Sequence, residues 1–425
     1  MTMAALTCLR SRWTTALVGV FAALLAVPAQ AGWFQWDMVE LPAASGAACG
    51  DGSPYRFFVN RTPLSSDLVI VFEGGGACWD QRACEGQGRL AAANPNGIPP
   101  DYMQSASTAF GLVTPFNARN SPEPVRTQGW NMVFLPYCTG DTHTGSRVAV
   151  YDDADPAQPR VQFHRGQANV AAAAQWLRDN LGAPAQLLLT GYSAGGVGST
   201  ANYALVRDAL EPTGPVSLLA DSGPLVPAPS SGGAEAYPAL PLHETIRQAW
   251  GLDEPEGLVT RFGQRLVGFD ADDLGSVNRA LALTFPNDRF GFAVFTRDTN
   301  FSAFSYEKFY DDIAQAPNPA AYRQALFSRW WPDLDRWAAD LEPLGNVGYH
   351  VPYFRNFNDS HCLTIIDFSG TGIEAAGVPS LASFVDQLLD GGMPSKLVEP
   401  ANTADFTQPL SPFMRLIKLL ERLIG

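Results

Sequence analysis

At 425 residues, 46% of them apolar and 11% aromatic, the chain carries enough hydrophobic material for a sizeable core, which excludes a largely disordered protein. Its formal net charge of −14 argues against nucleic acid as a partner, because phosphate backbones are held by clustered Lys and Arg.

Residues 1–31 read as a cleavable signal peptide. Arg10 and Arg12 form a positive start, Thr14 to Val27 is an apolar run, and Ala29-Gln30-Ala31 is a small-x-small cleavage site. The run is short for a bilayer-spanning helix, and no later stretch is long enough. The mature chain, 32–425, is therefore expected to be one secreted or periplasmic catalytic domain with no membrane span. Losing the signal removes two arginines and no acid, so the net charge moves from −14 to −16. Five cysteines remain: Cys49, Cys78, Cys84, Cys138 and Cys362. An oxidising compartment favours pairing, and an odd count leaves one free thiol.

Beyond the signal, unbroken apolar runs predict buried strands at Leu68–Phe72, Met132–Leu135, Leu187–Leu189, Val216–Leu219, Phe292–Phe295 and Val351–Phe354. Runs without alternation suit a mostly parallel sheet covered on both faces. Ala168–Leu181 is Ala-rich with helical spacing and stops before Gly182. Strands alternating with helices give an α/β class. Pro224 to Pro241, rich in Pro, Gly, Ser and Ala, predicts a long loop on the active face. Residues 224–345 predict a cap-like insertion before the last strand. Ser411–Gly425 predicts an amphipathic helix docked on the core through Phe413, Leu416, Ile417, Leu420 and Leu423.

The chemistry starts at Gly191-Tyr192-Ser193-Ala194-Gly195. A serine hydroxyl needs a base to take its proton and a tight turn that lifts it clear of the sheet. Gly-x-Ser-x-Gly supplies that turn between a strand and a helix, and here it directly follows Leu187–Leu189. Ser193 is the expected nucleophile. The oxyanion hole needs backbone amides aimed at the developing charge. The Ala194 amide is one candidate, and the turn Gly74-Gly75-Gly76-Ala77 after Leu68–Phe72 supplies others, from Gly75, Gly76 and Ala77.

The base must be one of five histidines. His143 and His164 precede Ser193, although His143 has a place near the cleft; a metal role for the pair lacks further ligands. His243 comes too early for the order serine, acid, histidine. His350 reads as a packed residue at the start of the last strand. His361 follows that strand, in the loop where a base belongs, and is preferred. For the acid, Asp298 after the strand Phe292–Phe295 is preferred over Asp221, which also follows a strand and reads as fixing a loop near the nucleophile.

These blocks resemble the pectin acetylesterase/Notum family of serine carboxylesterases. The likeness rests on Cys49-Gly50-Asp51-Gly52-Ser53-Pro54, Phe72-Glu73-Gly74-Gly75-Gly76-Ala77-Cys78-Trp79, Pro136-Tyr137-Cys138-Thr139-Gly140-Asp141, Gly191–Gly196, Ala220-Asp221-Ser222-Gly223 and Ser360-His361. It implies an α/β-hydrolase fold and a triad of Ser193, Asp298 and His361. It also implies disulfides Cys49–Cys138 and Cys78–Cys84, leaving Cys362 unpaired. One departure stands out: Ala77 occupies a position where the family commonly carries an aromatic, which predicts a wider pocket refilled by Trp79. The resemblance implies hydrolysis of O-acyl esters, chiefly acetyl on a polysaccharide such as pectin, with no cofactor. Two rivals remain open. One is a carboxylesterase acting on lipids or a polyester, since a charge of −16 suits anionic pectin poorly. The other is a non-catalytic extracellular binding protein on a hydrolase scaffold.

Overall fold

The apolar runs become strands because aliphatic and β-branched side chains bury well on both faces of a pleated sheet. A computed structural model describes residues 32–104, 114–121, 123, 125–401, 415 and 419. The expected signal peptide lies outside these residues, as does the expected C-terminal helix apart from Arg415 and Leu419.

The strands are β1 (Trp36–Glu40), β2 (Arg56–Asn60), β3 (Leu68–Phe72), β4 (Asn131–Leu135), β5 (Arg147–Tyr151), β6 (Arg160–His164), β7 (Leu187–Tyr192), β8 (Val216–Asp221), β9 (Arg289–Ala293), β10 (Val347–Val351) and β11 (Lys396–Val398). Nine form one sheet in the order β1-β2-β4-β3-β7-β8-β9-β10-β11, while β5 and β6 pair apart as an antiparallel ribbon. From β4 to β11 every neighbour is parallel; β1 and β2 add an antiparallel edge. The structure is thus the expected α/β class with a mostly parallel sheet.

Several helices matter for the site: α1 (Gly166–Leu181), α2 (Ala194–Ala201), α3 (Leu240–Trp250), α4 (Thr299–Tyr306), α5 (Pro319–Leu341) and α6 (Ala382–Leu389). β9 runs through the middle of residues 224–345, so the helices of that stretch fall into two groups, before and after a central strand.

Some boundaries differ from the apolar runs. β9 stops at Ala293 and β10 at Val351, so Val294-Phe295 and Pro352–Phe354 lie past the strand ends. Pro352 has no N–H to offer a ladder. β10 is not the last strand: β11 pairs with it in parallel. His350 therefore sits near the end of β10 rather than at the start of a final strand. The Pro224–Pro241 stretch is broken by a helical turn at Gly233–Ala236 and runs into α3.

Register brings the carboxyl ends of the strands together. Gly191 pairs with Phe72 on one side and Ala220 on the other, and Asp221 with Ala293. The chain leaves β3 for β4 on one side and returns to β7 on the other. Such a reversal opens a crevice at the strand ends, where ligands bind in open α/β sheets. Both expected disulfides, Cys49–Cys138 and Cys78–Cys84, are formed, and Cys362 is a free, buried thiol.

Candidate active site

Ser193 sits between the end of β7 and the start of α2 with φ 57° and ψ −122°. That conformation is strained for a non-glycine residue and is held by its surroundings. The Ser193 amide donates to Asp221 O (2.9 Å), and Ser193 O accepts from Gly196 N (2.8 Å). Two residues on, a Cβ at Gly195 would lie 2.0 Å from Phe72 O, so the turn tolerates only glycine there.

Ser193 lines a cavity of about 580 Å³ together with Gly75, Gly76, Ala194 and His361. Gly76 has φ +63°, and a Cβ on it would lie 2.2 Å from Ala91 O. Ala77 differs from expectation. Its amide is committed to Leu90 O at 3.1 Å, and it is buried away from the cavity, so it leaves the oxyanion set. The expected refilling by Trp79 fails for a related reason. Trp79 packs behind the wall, against Phe304 (5.9 Å between centroids) and Phe309 (6.0 Å), and it is Phe304 that faces the cavity. No residue of the Pro224–Pro241 stretch lines the cavity either.

His361 follows β10 and turns its Nδ1 to Asp298, 2.9 Å from Oδ2 and 3.0 Å from Oδ1. Asp298 is fully buried and caps α4, its Oδ1 accepting from Phe301 N (2.8 Å). A carboxylate only accepts, so Nδ1 carries the proton and Nε2 is left as the basic nitrogen. Burial pulls the imidazole pKa down, but the Asp298 charge and hydrogen bond outweigh it and hold it above the usual value. Among the described residues no hydrogen bond joins Ser193 to His361; catalytic contacts often tighten only when substrate binds.

The other histidines behave differently. Burial lowers His143, His243 and His350 to about 4 and His164 to about 3. His143 is buried under the cavity wall, where its Nε2 meets Glu73 O at 2.9 Å. His164 binds Tyr151 Oη (2.9 Å) through Nε2. It lies beside Cys78 and Cys84, but those sulfurs are joined in a disulfide and offer no thiolate. His350 binds Thr371 O at 2.6 Å.

Asp221 serves the histidine loop rather than the imidazole. Its carboxylate accepts from Leu363 N (2.9 Å), Thr364 N (2.8 Å) and Thr364 Oγ1 (2.7 Å). Ser222 Oγ accepts from Cys362 N (2.9 Å), and Ser360 Oγ is bound by Arg355. The end of β8 thus carries the loop that holds His361. Burial raises the Asp221 pKa against the pull of these donors.

Sequence reasoning missed other cavity residues. Glu73 lines the wall next to the glycine turn. Arg89 reaches across the mouth to Tyr322 Oη (2.8 Å), Asn300 Oδ1 (3.0 Å) and Glu307 Oε2 (3.1 Å). The signal for Glu73 was present: a carboxylate directly after the apolar run Leu68–Phe72. Nothing local marked Arg89, whose partners lie more than 200 residues away.

A family model described as pectinacetylesterase matches residues 28–246. The palmitoleoyl-protein carboxylesterase NOTUM of Drosophila melanogaster is 26% identical over 226 residues, 49% of this chain and 30% of that protein. Pectin acetylesterase 5 of Arabidopsis thaliana is 28% identical over 195 residues, 44% of this chain and 42% of that protein. The matched part thus spans less than half the length of these relatives. The crystal structure of the Drosophila Wnt deacylase Notum superposes with a TM-score of 0.52 at 18% identity, covering 86% of this chain and 96% of that one, which bears on fold.

Proposed function

The chain belongs to the pectinacetylesterase family, and from that premise we propose that it is a serine carboxylic ester hydrolase acting on O-acyl groups, chiefly acetyl, of a polysaccharide such as pectin. The observation that carries the reading is the buried Asp298–His361 pair opening on the cavity that Ser193 lines. His361 Nε2 takes the Ser193 proton as Oγ attacks the acyl carbon. The tetrahedral oxyanion is met by the Ala194 amide and those of Gly75 and Gly76. Asp298 steadies the imidazolium. His361 then gives the proton to the departing alcohol oxygen, which leaves an acyl-Ser193 ester. Water, activated by the same imidazole, adds to that ester, and the carboxylic acid departs as Ser193 regains its proton. The sequence needs no metal or organic cofactor.

A second reading has its own support. Phe301, Phe304, Phe357, Leu90, Val197 and Ile365 make much of the cavity wall apolar, and relatives of this chain are named palmitoleoyl-protein carboxylesterases. A longer acyl chain or a lipid-like ester would fit such a wall. The third possibility, a non-catalytic binding protein, has no observation in its favour at the site. A panel of acetylated pectin, acetylated xylan and p-nitrophenyl esters from acetyl to palmitoyl separates the first two, with Ser193→Ala as control. We expect release of acetate from pectin and fast turnover of p-nitrophenyl acetate. Palmitoyl turnover without acetate release selects the second reading. Failure to turn over any ester, together with no labelling of Ser193 by a serine-directed phosphonate, removes both.

We further propose that the protein acts outside the cytoplasm as one catalytic domain, with helices of 224–345 forming a cap. Two disulfides and the N-terminal signal pattern support export. Among the described residues no helix is long and apolar enough to cross a membrane.

A further inference from the structure

Glu73 is pinned at every polar atom. Its amide donates to Leu135 O (3.0 Å), and its carbonyl meets His143 Nε2 (2.9 Å). His143 is held neutral by burial, so its one proton sits on Nε2 to serve that carbonyl. One carboxyl oxygen accepts from Tyr102 Oη (2.7 Å) and the other from Tyr137 N (2.9 Å). Asn94 ties the two tyrosines together, donating to Tyr102 Oη (2.9 Å) and Tyr137 O (2.8 Å). The preceding residue, Ala93, donates to Gly75 O (2.8 Å). Glu73 and the 93–94 segment thus grip the glycine turn from both sides, on the wall of the Ser193 cavity.

We propose that Glu73 is the positioning residue of the oxyanion turn: its carbonyl, met by His143, and its carboxyl, held by Tyr102 and Tyr137, fix the turn on one side while Ala93 holds Gly75 on the other. Burial pushes Glu73 up to about 7, against the pull of the Tyr137 amide and the Tyr102 hydroxyl. The groups facing it are Tyr102, Tyr137, Tyr192 and Tyr55, with Asp141 acting on the last and on Tyr137. His143 lies beneath, and Arg89, Asp359 and His361 share the cavity. Burial raises Tyr55, Tyr137 and Tyr192 well above their usual value.

The inference rests on the esterase reading, and its test separates the two. Activity against p-nitrophenyl acetate should rise with pH as His361 loses its proton. Glu73→Gln keeps the grip without the charge, because the Tyr102 hydroxyl can turn from donor to acceptor. We expect its kcat to drop less than about tenfold. Glu73→Ala, which removes the grip, should lower kcat about 10²-fold with KM little changed, the scale of a lost oxyanion donor. Tyr102→Phe removes one hydrogen bond to the carboxyl and should lower kcat by less than Glu73→Ala does, again with KM little changed. A Glu73→Gln rate as low as that of Glu73→Ala, or an unchanged kcat in Glu73→Ala, overturns the proposal. A wild-type protein inert to every ester overturns the esterase reading instead.

Discussion

The floor and the mouth of the cavity are built by different means. At the floor, Asp298 and Asp221 are fully buried, and their partners are mostly backbone amides and an imidazole. At the mouth, Arg89 and Glu307 pair with side chains 46% and 38% exposed, and Lys308 pairs with Asp80 (2.6 Å) in the same style. A buried carboxylate that loses its donors is costly, whereas an exposed ion pair contributes about 0–1 kcal/mol. The difference teaches where this scaffold can vary: the floor fixes the chemistry, and the mouth is free to change what enters.

The sharpest way to break that contrast lies at Ser193. Ser193→Ala should lower kcat about 10⁶-fold while leaving the melting temperature close to wild type, measured by turnover and calorimetry. A residual rate within about tenfold of wild type would move the nucleophile elsewhere. Next comes Asp298→Asn, which leaves the packing but loses the carboxylate that orients His361; a drop in kcat of about 10⁴ is expected. The acid limb of its kcat/KM profile should also shift. Asp298 holds the His361 pKa above the usual imidazole value, so the neutral base appears only at higher pH in the wild type, and the limb should move to lower pH in the variant.

Asp221→Ala should act through stability. Three donors of the 363–364 loop lose their acceptor, so about 3 kcal/mol of unfolding free energy should go, read in urea titration. A stable variant with undiminished turnover would show that the histidine loop does not depend on β8. The smallest effect belongs to Arg89→Ala. It should change stability by about 1 kcal/mol or less, with changes in KM that differ between polysaccharide and small p-nitrophenyl substrates. A loss of kcat as large as that of Asp298→Asn would erase the distinction between mouth and floor.

Parts of this arrangement are legible in the sequence for physical reasons. β3, β4, β7 and β8 are buried on both faces, so their apolar runs are unbroken. β1 and β5 mix exposed and partly buried positions, and β11 has three residues, so none of the three gives such a run. Ser193 shows because its turn imposes small residues at fixed spacing, and the strand order then leads to Asp298 and His361. Ala77 misled because the acceptor of a backbone amide, here Leu90 O, leaves no mark in the residues around it. The Asp221 bridge to the histidine loop was hidden for a like reason: its donors, two main-chain amides and the Thr364 hydroxyl, lie more than 100 residues away.

The reversal of the chain between β3 and β7 has a consequence for how the protein comes into being. The turn after β3, the elbow after β7, the cap residue after β9 and the loop after β10 are strangers in sequence and neighbours only in the finished sheet. Closing such distant segments is the slow, entropically uphill part of folding. Turnover should therefore arise late and all at once during refolding, behind the far-ultraviolet signal of the helices, so that a newly made chain has no partial activity to release before its last strands have joined.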